Sequence, residues 1–386
     1  MSLASNIRAG RAYVEIVADS SKLQRGLREA QERLRAFAQT ATTVGRDIMA
    51  LGGLMALPFV ASARSFASFD NSMRLAQAVS QATGRELEAL TEKAQALGRT
   101  TSFTAKQSAE AMVALGRMGF SPREIETATG AVLDLARATG TDLAEAADFA
   151  ANSLRIFRLH SSDMVRVADV LPATANGSAQ TLGDLFEALK VAGPQAVAAG
   201  ESLEDTNAAL GVLANVGIKG SLAGTALRKS FSQFAKADVQ KTLAKWGISA
   251  TTAEGNLRPL AEVLREVAAV MQRMPTAERI SFAEDIFDLR GSLAGLSLTG
   301  DIGQLDVFID KLRDIEGVAA KTAQKMDAGL GGSFRLLASA AEGSLNAMAG
   351  QLTVALQPLV DRVTATINAT TQWVTANGAL VRSVAG

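Results

Sequence analysis

The sequence predicts a mainly all-α protein: a globular array of short helices, with a minor N-terminal strand and a long C-terminal amphipathic helix. Three observations carry this. Aromatic residues are only 5% of the 386, with a single tyrosine and seven prolines, while alanine is abundant; sheet proteins favour aromatic and β-branched residues instead. Helix-start and helix-stop residues alternate roughly every twenty positions between 104 and 202. Beyond residue 330, apolar residues recur at helical spacing for some forty positions.

The organisation divides into residues 1–65, 66–330 and 331–386. In the first segment, "AYVEIVA" at 12–18 is the strand candidate. The following "SSKLQRGLREAQERLRAFAQTATTV" reads as a charged amphipathic helix, with Leu23, Leu27, Leu34 and Phe37 on its apolar side. The N-terminus has no signal-peptide hydrophobic region. The apolar run 48–63, "IMALGGLMALPFVASA", is shorter than the ~20 residues of a membrane span. It contains Gly52, Gly53 and Pro58 and is flanked by Arg46, Asp47 and Arg64. A buried helix or helical hairpin fits it; a membrane-active segment is the alternative.

In the second segment, "TAKQ" at Thr104, "SPRE" at Ser121, "TLGD" at Thr181 and "SLED" at Ser202 are helix starts. A hydroxyl and an acidic or amide side chain three residues on can satisfy the orphan N–H groups reciprocally. Pro122 fits the first helical position. Thr141 and Ser161 or Ser162 are further candidate caps, and Gly98, Gly119, Gly140, Gly177, Gly200 and Gly217 are candidate stops. The helices so delimited do not resemble one another closely, which favours a globular array over a solenoid. Residues 245–258 read as a loop with short strands. "RPLAEVLREVAAVMQRM" is a helix stopped by Pro275, and Thr276 starts the next.

In the third segment, Phe334, Leu337, Ala341, Leu345, Met348, Leu352, Leu356, Leu359, Val363, Ile367 and Val374 follow a 3, 4, 4 stepping, interrupted at Thr370. A period of eleven residues, 3.67 per turn, keeps such a stripe nearly straight. It reads as a rod that associates with copies of itself, kinked at Pro358.

Charge and composition exclude several functions. Lys+Arg and Asp+Glu are 39 each, so the net charge is zero. Nucleic-acid binding normally needs a basic excess, and no sequence-specific nucleic-acid partner is expected. Little charge repulsion keeps copies apart. There is no cysteine, and His160 is the only histidine. Disulfides, zinc-thiolate sites, thiol catalysis and multi-histidine metal sites are thereby excluded. No catalytic residue, cofactor or metal is expected; His160 reads as a surface residue near a helix end.

Two motifs test for chemistry. "LANVGIKGSLAGTALRK" at 213–229 sets Gly217, Gly220 and Gly224 among Lys219, Arg228 and Lys229. A phosphate loop needs four residues between two glycines, then Lys and Ser or Thr; here five separate Gly211 from Gly217. The dinucleotide fingerprint also fails, because the glycines are spaced 3 and 4. They read as a helix-packing signature: Gly217 ends one helix, Ser221 caps the next, and Gly220 and Gly224 admit a second backbone. A helix N-terminus there can still bind an anion. The acidic cluster Glu278, Glu284, Asp285 and Asp288 reads as a solvated face with ion pairs; a hydrolytic carboxylate dyad is the alternative. Glu201 and Glu204 fall at a helix start, where the dipole favours acids.

Residues 66 to 365 resemble, in order, the core domain of phage tail tape measure proteins. The resemblance is carried by "FDNSMRLAQAVSQATG", "LGRMGFSPREIETATGAVLDLA", "TGTDLAEAADFAANSLRIF", "VADVLPATANGSAQTLGDLFEALKVAG" and above all the Gly217–Arg228 stretch. It implies a structural ruler and scaffold of the tail tube that sets tail length and leaves ahead of the DNA. The implied partners are the tail tube protein, tail assembly chaperones, distal tail or baseplate proteins, and copies of the chain itself, a trimer among the options. Residues 48–63 are the candidate for host membrane contact. The implied locations are the tail lumen, the host cytoplasm during assembly and the cell envelope during ejection. Complete members are usually much longer, so the chain reads as the N-terminal portion of a longer protein or as a short-tail variant. Alternatives from other classes are a membrane-active channel former and a cell-wall hydrolase acting through Glu284 and Asp285.

Overall fold

The computed structural model describes residues 56–289 and 291–376. The expected strand at 12–18, the charged helix after it and residues 48–55 lie outside the described residues. Among the described residues there are sixteen α-helices: α1 (Ala56–Ser80), α2 (Gly84–Thr100), α3 (Ala105–Arg117), α4 (Pro122–Thr139), α5 (Leu143–Ile156), α6 (Met164–Asn176), α7 (Leu182–Ala198), α8 (Leu203–Asn215), α9 (Gly220–Phe234), α10 (Ala237–Ala244), α11 (Leu260–Met271), α12 (Thr276–Phe287), α13 (Ser292–Gly300), α14 (Ile302–Arg313), α15 (Val318–Asp327) and α16 (Leu330–Ala376). The described residues contain no named strand; Thr251 and Leu257 form one antiparallel bridge in the loop before α11. The chain divides into compact units at Ala61, and residues 331–376 group with the helical unit that begins at Ser62. Helix α1 runs through the expected boundary at 65–66.

The start signals act as their chemistry requires. Thr104 Oγ1 accepts from Gln107 N at 3.2 Å, and Gln107 Oε1 accepts from Thr104 N at 2.9 Å. Thr181 and Asp184 make the same reciprocal pair at 3.0 and 3.1 Å, so Asp at the third position closes the box as well as Glu or Gln does. Ser121 N donates to Glu124 at 2.8 Å. Ser202 Oγ accepts from Asp205 N at 3.1 Å. One further box, Thr83 with Glu86, escaped the sequence reading. Two expected caps are displaced: Asp142, not Thr141, caps α5, and the imidazole of His160 caps the 3₁₀ turn Ser161–Asp163.

Among the expected stops, Gly119, Gly140, Gly200 and Gly217 have positive φ, where glycine avoids a Cβ clash. Gly98 does not end a helix. It is buried inside α2, and a Cβ on it would stand 2.6 Å from Ala105 N at the start of α3. Its missing side chain serves close approach, not chain reversal.

Two helices are hubs. Helix α4 packs against α2, α3, α5, α6 and α15, and α8 against α6, α7, α9, α13 and α14. One hydrophobic cluster runs from Phe69 to Leu312. Its wall in α5 is alanine: Ala146, Ala147, Ala150 and Ala151 are all buried, which lets helix axes approach closely. Fully burying a larger side chain such as Leu133 or Phe287 stabilises by about 1.5–3 kcal/mol. Among the described residues, no helix is long and apolar enough to cross a membrane.

Candidate functional site

The glycine stretch joins two helices, and its glycines have different jobs. Helix α8 stops at Asn215. Gly217, at φ 86°, turns the chain so that Ile218 N donates back to Leu213 O at 2.9 Å and Ile218 is buried. Helix α9 starts at Gly220, itself at φ 61°. No atom comes within 4 Å of a Cβ placed on either glycine. At Gly224 a Cβ would run into the Ala188 carbonyl oxygen and stand 2.9 Å from Val191 Cβ. The close approach of α9 to α7 is therefore at Gly224, whereas Gly217 and Gly220 supply backbone conformation. Ser221 is not the cap expected of it; the N-cap residue is Lys219.

Two of the three cations in this stretch serve structural contacts, and Arg228 is exposed. Lys219 Nζ donates to Ala179 O at 3.1 Å, and Lys229 Nζ pairs with Asp288 at 3.0 Å. The latter takes one member out of the acidic cluster. Glu278, Glu284 and Asp285 are exposed on α12. Among the described residues no group of three or more His, Cys, Asp or Glu could hold a metal ion.

The strongest polar convergence lies at the start of α8, where the sequence suggested only dipole-favoured acids. Three carboxylates within five residues, Glu201 just before the N-cap and Glu204 and Asp205 in the first turn, each hold a different helix. Glu201 is buried and accepts from Leu260 N, at the start of α11, at 2.6 Å. Glu204, also buried, takes the guanidinium of Arg166 from α6. Asp205 takes Arg313 from α14 at 2.8 Å. Burial pushes the Glu201 carboxyl up to about 7; the Leu260 N–H opposes this, and Asp205 adds to it. Partners up to 108 residues apart leave no local signal, which is why the sequence reading missed them.

The second convergence fixes the base of α16. Arg137 of α4 donates to Asp327 Oδ1 at 2.7 Å, and Arg335 joins the same oxygen at 2.9 Å. Ser339 is buried and donates to Phe103 O at 2.9 Å and to Gly98 O. That carbonyl is one of the four a helix C-terminus leaves unpaired. The opposite side of α16 is apolar and uncovered: Leu330 is 81% exposed, Phe334 69% and Leu337 65%. At 100° per residue, Phe334 and Leu337 lie about 140–160° around the helix from Ser339. The helix spans 47 residues and includes Pro358. Of the remaining stripe residues, Leu345, Met348, Leu352, Leu356, Leu359, Val363 and Ile367 are helical, and their side chains lie outside the described ones.

These observations define a helical structural unit whose buried charges tie helices together and whose last helix offers an uncovered apolar face. The chain belongs to the phage-related minor tail protein family, whose profile matches residues 91–288. It is 32% identical over 373 residues to the tape measure protein of Pneumococcus phage Dp-1, covering 94% of this chain and 32% of that one. It is 26% identical over 381 residues to the probable tape measure protein of Escherichia phage P2, covering 97% and 47% respectively. The chain therefore spans about a third of the length of the first relative and just under half of the second. No solved structure matches it.

Proposed function

We propose that this chain is the folded helical part of a tail tape measure, a structural ruler and scaffold around which the tail tube assembles. The observation that carries this is its similarity to the Dp-1 tape measure protein across 94% of its length. Physically, the folded unit anchors a helix of known rise. At 1.5 Å per residue, α16 is about 70 Å long, longer than the roughly 45–50 Å width of a compact unit of this size. Its apolar face is turned away from its own domain, so copies of the chain are the partners that face suits. The tube protein, assembly chaperones and baseplate or distal tail proteins are the other partners, met in the host cytoplasm during assembly and then in the tail lumen. Release ahead of the DNA follows from a ruler that occupies the lumen. The role needs no catalysis, and the buried carboxylates serve helix docking.

The test is tail length. Five additional eleven-residue repeats inserted within α16 extend a straight helix by about 80 Å while keeping the stripe in phase. Tails measured by electron microscopy should lengthen in proportion. A tail of unchanged length would defeat the ruler reading.

A further inference from the structure

The end of α2 and the loop after it, helix α4, helix α15 and the first turns of α16 line a half-open cavity of about 370 Å³. Specific small-ligand sites begin near this size. Its wall is apolar where Phe103, Ala320, Ala323 and Leu336 contribute, and polar where Thr101 and Gln324 do. Asp134 reaches it from α4.

The charged groups around Asp134 are already committed. Arg137, one turn along α4, gives its guanidinium to Asp327 and to Met326 O at 2.9 Å. Arg335 from α16 also goes to Asp327. Asp169 from α6 caps α15, accepting from Gly317 N and Ala319 N at 2.8 Å each. Asp134 itself has no hydrogen-bond or ion-pair partner among the described residues. A half-buried carboxylate without a partner costs stability that a cation would return.

We propose that this cavity binds an alkylammonium or guanidinium group, its aliphatic stem against Phe103 and Leu336 and its charge on the Asp134 carboxylate. The competing ligand classes fit poorly. An anion would face the carboxylates of Asp134 and Asp327, and the one guanidinium in the wall, Arg137, is already taken by Asp327. A divalent metal ion needs several oxygen ligands, and one uncommitted carboxylate supplies too few. An apolar guest would leave the carboxylate buried against it. Because Leu336 belongs to α16, the site is complete only when that helix is docked, and occupancy holds the long helix against α2 and α15. Burial, with Asp169 adding to it, pushes the Asp134 carboxyl up to about 6. Binding a cation therefore releases a proton below that value.

The experiment is titration calorimetry on the full chain with three probes: N-acetyl-arginine methylamide, N-acetyl-lysine methylamide and spermidine. At least one should bind one-to-one. Tighter binding of a capped amino acid identifies a side chain of another protein as the occupant, and tighter binding of spermidine identifies a free polyamine. Asp134→Asn should fold, since it removes an unpartnered charge, and should weaken binding about tenfold or more, the scale of one charge-assisted contact. Asp238→Asn, on the exposed face of α10, should leave binding unchanged. Binding enthalpy at pH 6 should depend on the ionisation enthalpy of the buffer, and at pH 8 it should not. No binding of any probe at millimolar concentration, equal binding by Asp134→Asn, or no buffer dependence at pH 6 would overturn the proposal.

Discussion

Arg166 and Glu204 are joined by two parallel hydrogen bonds, Nε to Oε1 at 2.6 Å and Nη2 to Oε2 at 2.7 Å, across 38 residues of sequence. The carboxylate is buried while the guanidinium keeps one edge in solvent. Losing the cation strands a buried anion, and losing both charges does not. Arg166→Ala should therefore destabilise the fold by about 2–3 kcal/mol, below the range for fully buried pairs because Arg166 is partly solvated. Arg166→Met with Glu204→Gln should recover most of that. Urea denaturation of the three chains measures both. A double variant as unstable as Arg166→Ala would show that packing of the arginine stem, not charge pairing, joins α6 to α8.

Glu201 gives stability an unusual pH dependence. Its carboxyl ionises near 4.5 in the unfolded chain and at about 7 in the folded protein. The folded state thus holds a proton that the unfolded state has lost, and stability falls as pH rises from about 4.5 to about 7. At one pK unit per 1.36 kcal/mol the penalty above pH 7 reaches about 3 kcal/mol. Glu201→Gln keeps an oxygen for Leu260 N and removes the ionisation. It should be more stable than the parent chain at pH 8, by up to that amount, and no different near pH 4.5. Thermal unfolding followed across this range by circular dichroism checks the crossing. A variant less stable at pH 8 would mean the charged form is favoured there.

Gly224 and Gly220 are four residues apart, and substitution should affect them differently. Alanine at Gly224 puts a methyl group into the Ala188 carbonyl and beside Val191, so α9 must move from α7. A loss of about 2–3 kcal/mol is expected, as for an overpacked core. Valine there should prevent folding at ordinary temperature. Alanine at Gly220 meets open space but takes φ 61°, a cost of about 1–2 kcal/mol. Chemical denaturation separates them. Equal, small losses at both sites would remove Gly224 from the α7–α9 contact.

Local chemistry was legible in the sequence and distant chemistry was not. Thr104, Ser121, Thr181 and Ser202 marked helix starts because a cap and its partner sit three residues apart. Gly98 misled because a glycine that ends a helix and one that admits a neighbouring backbone look alike in sequence; only the position of Ala105 distinguishes them. Thr141 lost its cap to Asp142 because both side chains can accept and the backbone path decides. The docking of α16 was unreadable for a stronger reason. Ser339 bonds carbonyls more than 230 residues away, and nothing in its own segment announces that.

The same docking decides how the apolar stripe can be tested. Ser339, Arg335 and the Arg137–Asp327 pair hold α16 by its polar side, so Phe334 and Leu337 contribute little to the stability of their own domain. Charged replacements at exposed sites shift stability by about 0.5 kcal/mol or less. Phe334→Glu with Leu337→Glu should therefore leave the unfolding midpoint almost unchanged. If the stripe joins copies of the chain, as coiled-coil seams do, the two glutamates place like charges in the seam and should lower the sedimenting mass to that of a monomer. Ser339→Ala should do the reverse, loosening α16 from its domain and leaving the oligomer intact. Analytical ultracentrifugation over a range of concentrations distinguishes the two variants. A parent chain that stays monomeric at the highest concentration would remove self-association from the stripe, and an unchanged oligomer in the double glutamate variant would place the contact elsewhere.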